Sequence, residues 1–176
     1  MTHMVPVEIV GLRVDPTTGT SVVVLGESDG LTRVLPIIIG PVEAQSIADS
    51  LNDIAPLRPN AHDLAASLLV ATGSRLDEVA VTELVAGVFF AELFVESALG
   101  MQSVSARPSD AISIAVRMGA PIFVRASVLD AAAIRLEHAP AAVMTDDQID
   151  EVVSEFQALL ETARPSDFAQ VEHEAE

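Results

Sequence analysis

The sequence predicts one domain that combines short antiparallel strands with helices and repeats this pattern twice. Runs rich in valine, isoleucine and leucine alternate with turns that contain glycine, proline or aspartate, three before residue 40 and three between residues 78 and 106. Each group of three runs is followed by an Arg-Pro step directly before a helical segment, at Arg58-Pro59 and at Arg107-Pro108. A length of 176 residues, half of them hydrophobic, is natural for a single domain. The recurring order suggests an internal duplication.

The first block is predicted to form a three-stranded meander and two helices. The short links favour antiparallel pairing of the predicted strands, which cover residues 5–14, 21–25 and 32–39. Gly40 ends the third strand, and Pro41 suits the start of a helix that is predicted to reach residue 54. Asn60 is expected to cap a second helix over residues 61–72. Four apolar side chains are predicted to pack the first of these helices on the sheet: Val42, Ile47, Leu51 and Ile54.

The second block repeats the three strands and ends in one helix. The strands are predicted over residues 78–85, 88–96 and 101–106, and Ser109 is expected to cap a helix that ends at Met118. A short strand over residues 122–124 and a helical segment over 127–134 complete a main domain over residues 5–135. We expect an acidic amphipathic helix over residues 145–164 and a disordered tail over 165–176.

The charge of the chain is strongly acidic. It holds 26 acidic and nine basic side chains, a net charge of −17, and every basic residue is an arginine. Tyrosine and tryptophan, on which bases often stack, are absent. This composition speaks against tight, non-specific binding of nucleic acid. The lack of cysteine excludes disulfides and thiolate metal sites. The sequence shows neither an apolar run long enough for a transmembrane helix nor a signal peptide, so we expect no membrane partner.

The candidate site residues lie at predicted helix starts. Arg58, His62 and Asp63 surround the start of one helix, and Arg107 and Asp110 the start of another. Helix N-termini favour anions, and arginine can hold a phosphate with two hydrogen bonds. The alternative is structural: Asn60 and Ser109 cap the helices, Asp63 closes a capping interaction with Asn60, and each arginine pairs with a nearby aspartate. Neighbouring residues of a helix point about 100° apart, so His62 and Asp63 cannot form a dyad by themselves.

Three carboxylates could together hold a metal ion. Glu43, Asp63 and Asp110 each fall in the first turn of a predicted helix, and carboxylate oxygens are ligands that Mg²⁺ and Mn²⁺ prefer. The alternative is that each carboxylate complements the dipole of its own helix. Nothing in the sequence indicates an organic cofactor.

Several ordered motifs give the sequence a family resemblance. They are Leu35-Pro36-Ile37-Ile38-Ile39-Gly40 with Glu43-Ala44, then Arg58-Pro59, His62-Asp63-Leu64, residues 106–112 (Ala-Arg-Pro-Ser-Asp-Ala-Ile) and residues 120–124 (Ala-Pro-Ile-Phe-Val). Together they resemble the bifunctional nuclease domain family over residues 5–129. The resemblance implies an α+β fold, with a curved mixed sheet from two similar β-β-β-α halves and helices packed outside. It also implies cleavage of RNA and DNA by a small cytoplasmic oligomer.

The sequence therefore leads to a nuclease hypothesis. Arg58 and Arg107 would clamp a phosphate and His62 would act as general base or acid. Glu43, Asp63 and Asp110 would hold a divalent cation that activates water. Nucleic acid would bind weakly and transiently.

The alternative is a non-catalytic, oligomeric regulatory or protein-interaction module. In both cases an apolar chain with exposed sheet edges is expected to form a homo-oligomer, foremost a homodimer, through its strands or through the helices after Arg58 and Arg107.

Overall fold

A computed structural model describes residues 3–14, 19–30, 32–136 and 144–162 of the chain. Its strands are β1 (Met4–Val14), β2 (Ser21–Glu27), β3 (Arg33–Ile39), β4 (Arg75–Val85), β5 (Val88–Ser97), β6 (Gly100–Ala106), β7 (Ile122–Arg125) and β8 (Ile134–Arg135). Its helices are α1 (Pro41–Leu51), α2 (Ala61–Ala71), α3 (Pro108–Met118), α4 (Ala126–Ala132) and α5 (Asp146–Thr162). The predicted tail, residues 165–176, lies outside the described residues.

The eight strands form one mixed sheet in the order β6-β5-β4-β7-β1-β2-β3-β8. The chain is thus an α+β protein, as expected. Both predicted meanders are present. β1 pairs with β2 and β2 with β3, both antiparallel, and β5 pairs antiparallel with β4 and β6 in the same way. β7 joins the two meanders; it pairs parallel with β4 and antiparallel with β1. The similarity of the two halves in detail stays a prediction.

β2 is buried along its whole length, because both faces of the sheet are covered there. Val23 and Leu25 belong to the larger core, which includes Ala44 and Ile47 of α1. Val22 and Val24 lie on the opposite face of β2. They belong to a second cluster, together with Ile149 and Val152 of α5. Side chains alternate along a strand, so a continuous apolar strand fits a site between two layers of helices.

Helix α1 packs through a face that shares only Ile47 with the predicted one. Its buried residues are Ala44, Ser46 and Ile47, whereas Val42 is 74% and Leu51 47% exposed. Val42 and Ile47 are five residues apart, about 140° around a helix, so they cannot share a face. The small residues Ala44 and Ser46 suit a helix that also packs against α3.

One further difference concerns the end of the main domain. The helical segment predicted over residues 127–134 ends at Ala132, and residues 134–135 pair with β3 as β8. Among the described residues, no helix is both long and apolar enough to cross a bilayer.

Candidate active site

The N-terminal turns of three helices supply the polar residues of the site. Glu43 lies in the first turn of α1, His62 and Asp63 in that of α2, and Asp110 in that of α3. Because α3 packs against both α1 and α2, side chains far apart in sequence come within hydrogen-bonding distance.

Arg107 joins two of these helices. As the residue before Pro108 it has an extended backbone and caps α3. Its Nη2 lies 2.9 Å from Glu43 Oε1, and its Nε lies 2.7 Å from Asp110 Oδ2. The Arg107 side chain is 66% exposed, but those of Glu43 and Asp110 are only 16% and 28% exposed. The hydrogen bond with Asp110, assisted by Glu43, raises the pKa of Arg107, so its guanidinium stays charged.

His62 is held at both of its ring nitrogens. Nδ1 lies 2.8 Å from Ser46 Oγ, and Nε2 lies 3.0 Å from Asp110 Oδ1. The hydrogen bond from Arg107 lowers the pKa of Asp110 against the effect of burial, and His62 lowers it further. An ionised carboxylate only accepts hydrogen bonds, so Nε2 donates to Asp110, and the Ser46 hydroxyl is the hydrogen-bond partner of Nδ1. This arrangement lets His62 orient Asp110.

Ser46, His62 and Asp110 form a chain that resembles a catalytic triad in composition only. Ser46 is 4% exposed, and its Oγ also lies 3.0 Å from Arg117 Nη2. A nucleophile must be reachable by the substrate. Ser46 therefore serves as a buried bridge between His62 and Arg117.

Asp63 belongs to the cap of α2 and to Arg117. Its carboxylate accepts the backbone N–H of Asn60, whose side chain in turn accepts the Asp63 N–H, a complete capping box. Arg117 Nε donates to Asp63 Oδ1 at 2.5 Å. Burial favours the protonated form of Asp63, but the hydrogen bonds from Arg117 and Asn60 outweigh it and lower the pKa.

Arg117 was missed by the sequence reasoning. It lies seven residues after Asp110, which is nearly two helical turns, so both side chains lie on one face of α3. That spacing is the signal that could have identified it.

Arg58 lies outside this network. It is exposed in the stretch before α2 and forms no hydrogen bond or ion pair with the residues that the structure describes. Ser109 is not the cap of α3 that the sequence predicted. The N-cap residue is Arg107, and no side chain among the described residues caps this helix. Ser109 is buried in its first turn.

The three predicted metal ligands each form an ion pair with an arginine. Glu43 and Asp110 share Arg107, whereas Asp63 pairs with Arg117. Across the described ranges, no three histidine or acidic side chains are grouped closely enough to hold an ion. The donor set thus does not fit a preformed metal site, and a metal requirement stays a prediction.

A cleft of about 310 Å³ adjoins the network at Gly40 and Arg107. Its lining comes from the end of β3, the turn between β4 and β5 and the start of α3: Ile37, Ile38, Ile39, Gly40, Gly87, Val88, Phe89, Arg107, Pro108 and Ser109. Gly40 matters for the adjoining carboxylate, because a methyl group there would overlap Oε2 of Glu43. A ligand in the cleft would reach Arg107, and Glu43 Oε2 lies beside Gly40, another lining residue.

Comparisons with known proteins identify the family. An uncharacterized protein of Mycobacterium tuberculosis (strain H37Rv) is 38% identical over 167 residues, which cover 92% of this chain and 96% of the relative. A protein of Arabidopsis thaliana named bifunctional nuclease 1 is 33% identical over 103 residues, which cover 57% of this chain and 32% of the plant protein. Bifunctional nuclease 2 of the same plant is 33% identical over 106 residues, 58% of this chain and 32% of the relative. The model of the bifunctional nuclease domain matches residues 23–137, more than half of the chain. The chain therefore belongs to the bifunctional nuclease domain family.

Proposed function

We propose that this protein hydrolyses the phosphodiester bonds of RNA and DNA. Family membership suggests a nuclease, and the names of the two plant relatives agree. The observation that carries the proposal is the exposed guanidinium of Arg107, held between two carboxylates at the edge of a cleft. Such a group is suited to bind a phosphate and to stabilise the charge that develops on it.

Arg107 has one free nitrogen for a phosphate. Its Nε and Nη2 bond to Asp110 and Glu43, whereas Nη1 has no hydrogen bond to any described residue. The two carboxylates therefore fix the plane of the guanidinium and leave Nη1 as the nitrogen available to a phosphate. An oriented donor of this kind costs little reorganisation when charge develops in the transition state.

Glu43 is the better candidate for the general base. Both oxygens of Asp110 are bonded, Oδ1 to His62 and Arg107 and Oδ2 to Arg107. Glu43 uses Oε1 for Arg107, and its Oε2 lies against Gly40 in the cleft wall. Oε2 would take the proton of the attacking water while the water oxygen bonds to phosphorus. The leaving alkoxide would take its proton from solvent, and His62 would position Asp110 rather than move the proton.

Other parts of the hypothesis stay predictions. They are the use of both RNA and DNA, assistance by Mg²⁺ or Mn²⁺, and a cytoplasmic location. A divalent cation in solution would also screen the repulsion between a polyanionic substrate and a chain with a net charge of −17.

The test is a cleavage assay with fluorescent single-stranded RNA and DNA in Mg²⁺, in Mn²⁺ and in EDTA. Arg107→Lys keeps the charge but loses the planar fork, and Glu43→Gln keeps the shape but loses the base. Each should lower kcat/KM by ~100-fold or more. Arg58→Lys is the matched control, because Arg58 is exposed and outside the network. Wild-type cleavage no faster than that of Arg107→Lys in all three buffers would contradict the proposal.

The second candidate function is a non-catalytic, oligomeric interaction module. One observation favours it: α2 has no buried residue although its sequence is apolar. A helix whose apolar side chains Leu64, Leu68 and Val70 are more than half exposed is typical of a protein contact. Oligomerisation without cleavage in the same assay would support this alternative.

A further inference from the structure

The cleft beside Arg107 differs from the backbone grooves by which many nucleases hold a polyanion. We propose that this protein selects short, unpaired oligonucleotides by holding one base in the apolar cleft and one adjacent phosphate on Arg107. The inference rests on the proposed function and assigns a substrate class to the same site.

The shape of the cleft fits one unpaired nucleotide. Two of its wall residues are substantially exposed, Ile38 at 46% and Val88 at 56%, and Phe89 lies beside them. Apolar and aromatic side chains bind the faces of bases with little regard to sequence. The volume of about 310 Å³ is at the small end of ligand pockets, which suits one unpaired base better than a base pair.

The charges around the cleft do not favour a long phosphate backbone. Glu43 and Asp110 provide two negative charges against the single positive charge of Arg107. The chain as a whole has a net charge of −17. Proteins that bind a nucleic acid backbone neutralise many phosphates with a basic surface. Contacts with a base must therefore supply most of the binding, which favours a short strand over a long one.

This mode of binding predicts a weak dependence on salt. A protein that contacts one phosphate of a single strand loses affinity by only about threefold between 50 and 200 mM salt. A protein that contacts six to ten phosphates of a duplex loses about 10³- to 10⁵-fold over the same range. The salt slope thus reports how many phosphates the protein holds, whether or not cleavage follows.

The experiment measures binding and cleavage separately. The probes are a fluorescein-labelled tetranucleotide, a labelled 24-nucleotide single strand and the duplex of that strand. Binding is followed by fluorescence anisotropy at 50 and 200 mM NaCl, and cleavage by gel electrophoresis. We expect the tetranucleotide to bind at least as well as the 24-mer, the duplex at least tenfold more weakly, and the salt effect to be about threefold or less.

A matched pair of variants locates the binding. Val88→Glu places a charge in the cleft wall, and Leu99→Glu places the same charge at the opposite end of β5, where Leu99 is 86% exposed. Val88→Glu should weaken tetranucleotide binding at least tenfold, and Leu99→Glu should not. Ile38→Thr keeps a β-branched residue in β3 and serves if Val88→Glu does not fold.

Three outcomes would overturn the inference: a steep salt slope, duplex binding equal to that of the single strand, or equal effects of Val88→Glu and Leu99→Glu. Equal cleavage of duplex and single strand would contradict the proposed substrate class but agree with the proposed nuclease activity. If the tetranucleotide binds, the variants have the expected effects and no probe is cleaved, the nuclease proposal is contradicted but the base-binding cleft is supported.

Discussion

At the scale of single residues, Gly40 controls the position of the Glu43 carboxylate. A methyl group on Gly40 would overlap Oε2 of Glu43, which is the end of a flexible side chain and can rotate away. Gly40→Ala should therefore keep the fold, at a cost of about 1 kcal/mol or less for the changed helix cap. It should lower the cleavage rate at least tenfold, because Glu43 leaves Arg107. Denaturation in urea and kcat/KM measure the two effects.

A double-mutant comparison is the control for Gly40→Ala. In a Glu43→Gln background the added methyl group has no carboxylate to displace, so a further loss of activity is not expected. Unchanged activity of the single Gly40→Ala variant would show that the position of Glu43 is unimportant.

The pair of Asp63 and Arg117 predicts a pH-dependent contribution to stability. The folded pKa of Asp63 is lowered from 3.8, so its contribution is complete above pH 3.8 and is lost as the pH falls through the folded pKa. Asp63→Asn should cost about 2 kcal/mol at neutral pH, because it leaves a largely buried guanidinium without its carboxylate.

The measurement is urea denaturation of both proteins between pH 7 and pH 2.5. The difference between wild type and variant should shrink only below pH 3.8. A constant difference across that range would mean that the pairing of Asp63 does not depend on its charge.

The sequence predicted the local contacts of the site better than the distant ones. The capping box of Asn60 and Asp63 and the pair of Arg107 and Asp110 each span three residues, so spacing along one helix is enough to predict them. His62 and Asp110 are 48 residues apart, and their contact depends on how α3 packs. The sequence reasoning named Arg58, which has no contact with the network, and missed Arg117, which pairs with Asp63.

At the scale of elements, the same distinction holds for the strands. Apolar runs and turn residues predicted both meanders, because neighbours joined by short links pair antiparallel. The chain leaves β4, runs through β5, β6 and α3, and returns as β7, which pairs parallel with β4. No local sequence pattern predicts the position in the sheet at which such a strand is added. The face of α1 was mispredicted because its true partners, including α3, were unknown.

Helix α2 should depend strongly on its cap, since none of its residues is buried. Asn60→Ala removes the acceptor for the N–H groups of His62 and Asp63 and should cost about 1 kcal/mol. The first turn of α2 should then exchange its amide hydrogens faster, and cleavage should fall because His62 no longer holds Asp110. Hydrogen exchange followed by mass spectrometry measures the first effect.

Ser67→Ala is the control on the same helix, because Ser67 is exposed and its hydroxyl donates to the carbonyl of Asp63. Equal exchange rates in the two variants would show that the cap does not limit the stability of α2.

At the scale of the whole molecule, α1, α2 and the link between them present a large apolar surface. Ala65 and Leu69 of α2 pack on the core, which leaves the outer side of the helix exposed. We call the α1–α2 face the exposed group that runs from the end of α1 through the link to one side of α2: Leu51 (47%), Ile54 (56%), Leu57 (101%), Leu64 (56%) and Leu68 (55%). Stable interfaces bury about 800 Å² per partner, and five large exposed side chains supply part of such an area.

A second copy of the chain is the partner that fits the α1–α2 face. Two chains that each have a net charge of −17 repel one another, so contact is favourable only where the surface is apolar. We therefore predict a homodimer through this face, with twice the chain mass of 18.5 kDa. Light scattering at micromolar concentration measures that mass directly.

The decisive variants compare α2 with the edge strand β6, which is exposed along nearly its whole length and contains no charged residue. Leu64→Asp with Leu68→Asp places two charges on one side of α2 and should give monomers, because each would be buried against its symmetry mate without a counter-ion. Met101→Asp with Val104→Asp adds the same charge to β6, where the two side chains are 54% and 50% exposed, and should leave the dimer intact. If only the β6 double variant dissociates the dimer, the contact lies at the edge of the sheet. If the wild type is a monomer at both low and high salt, the α1–α2 face does not bind a second copy.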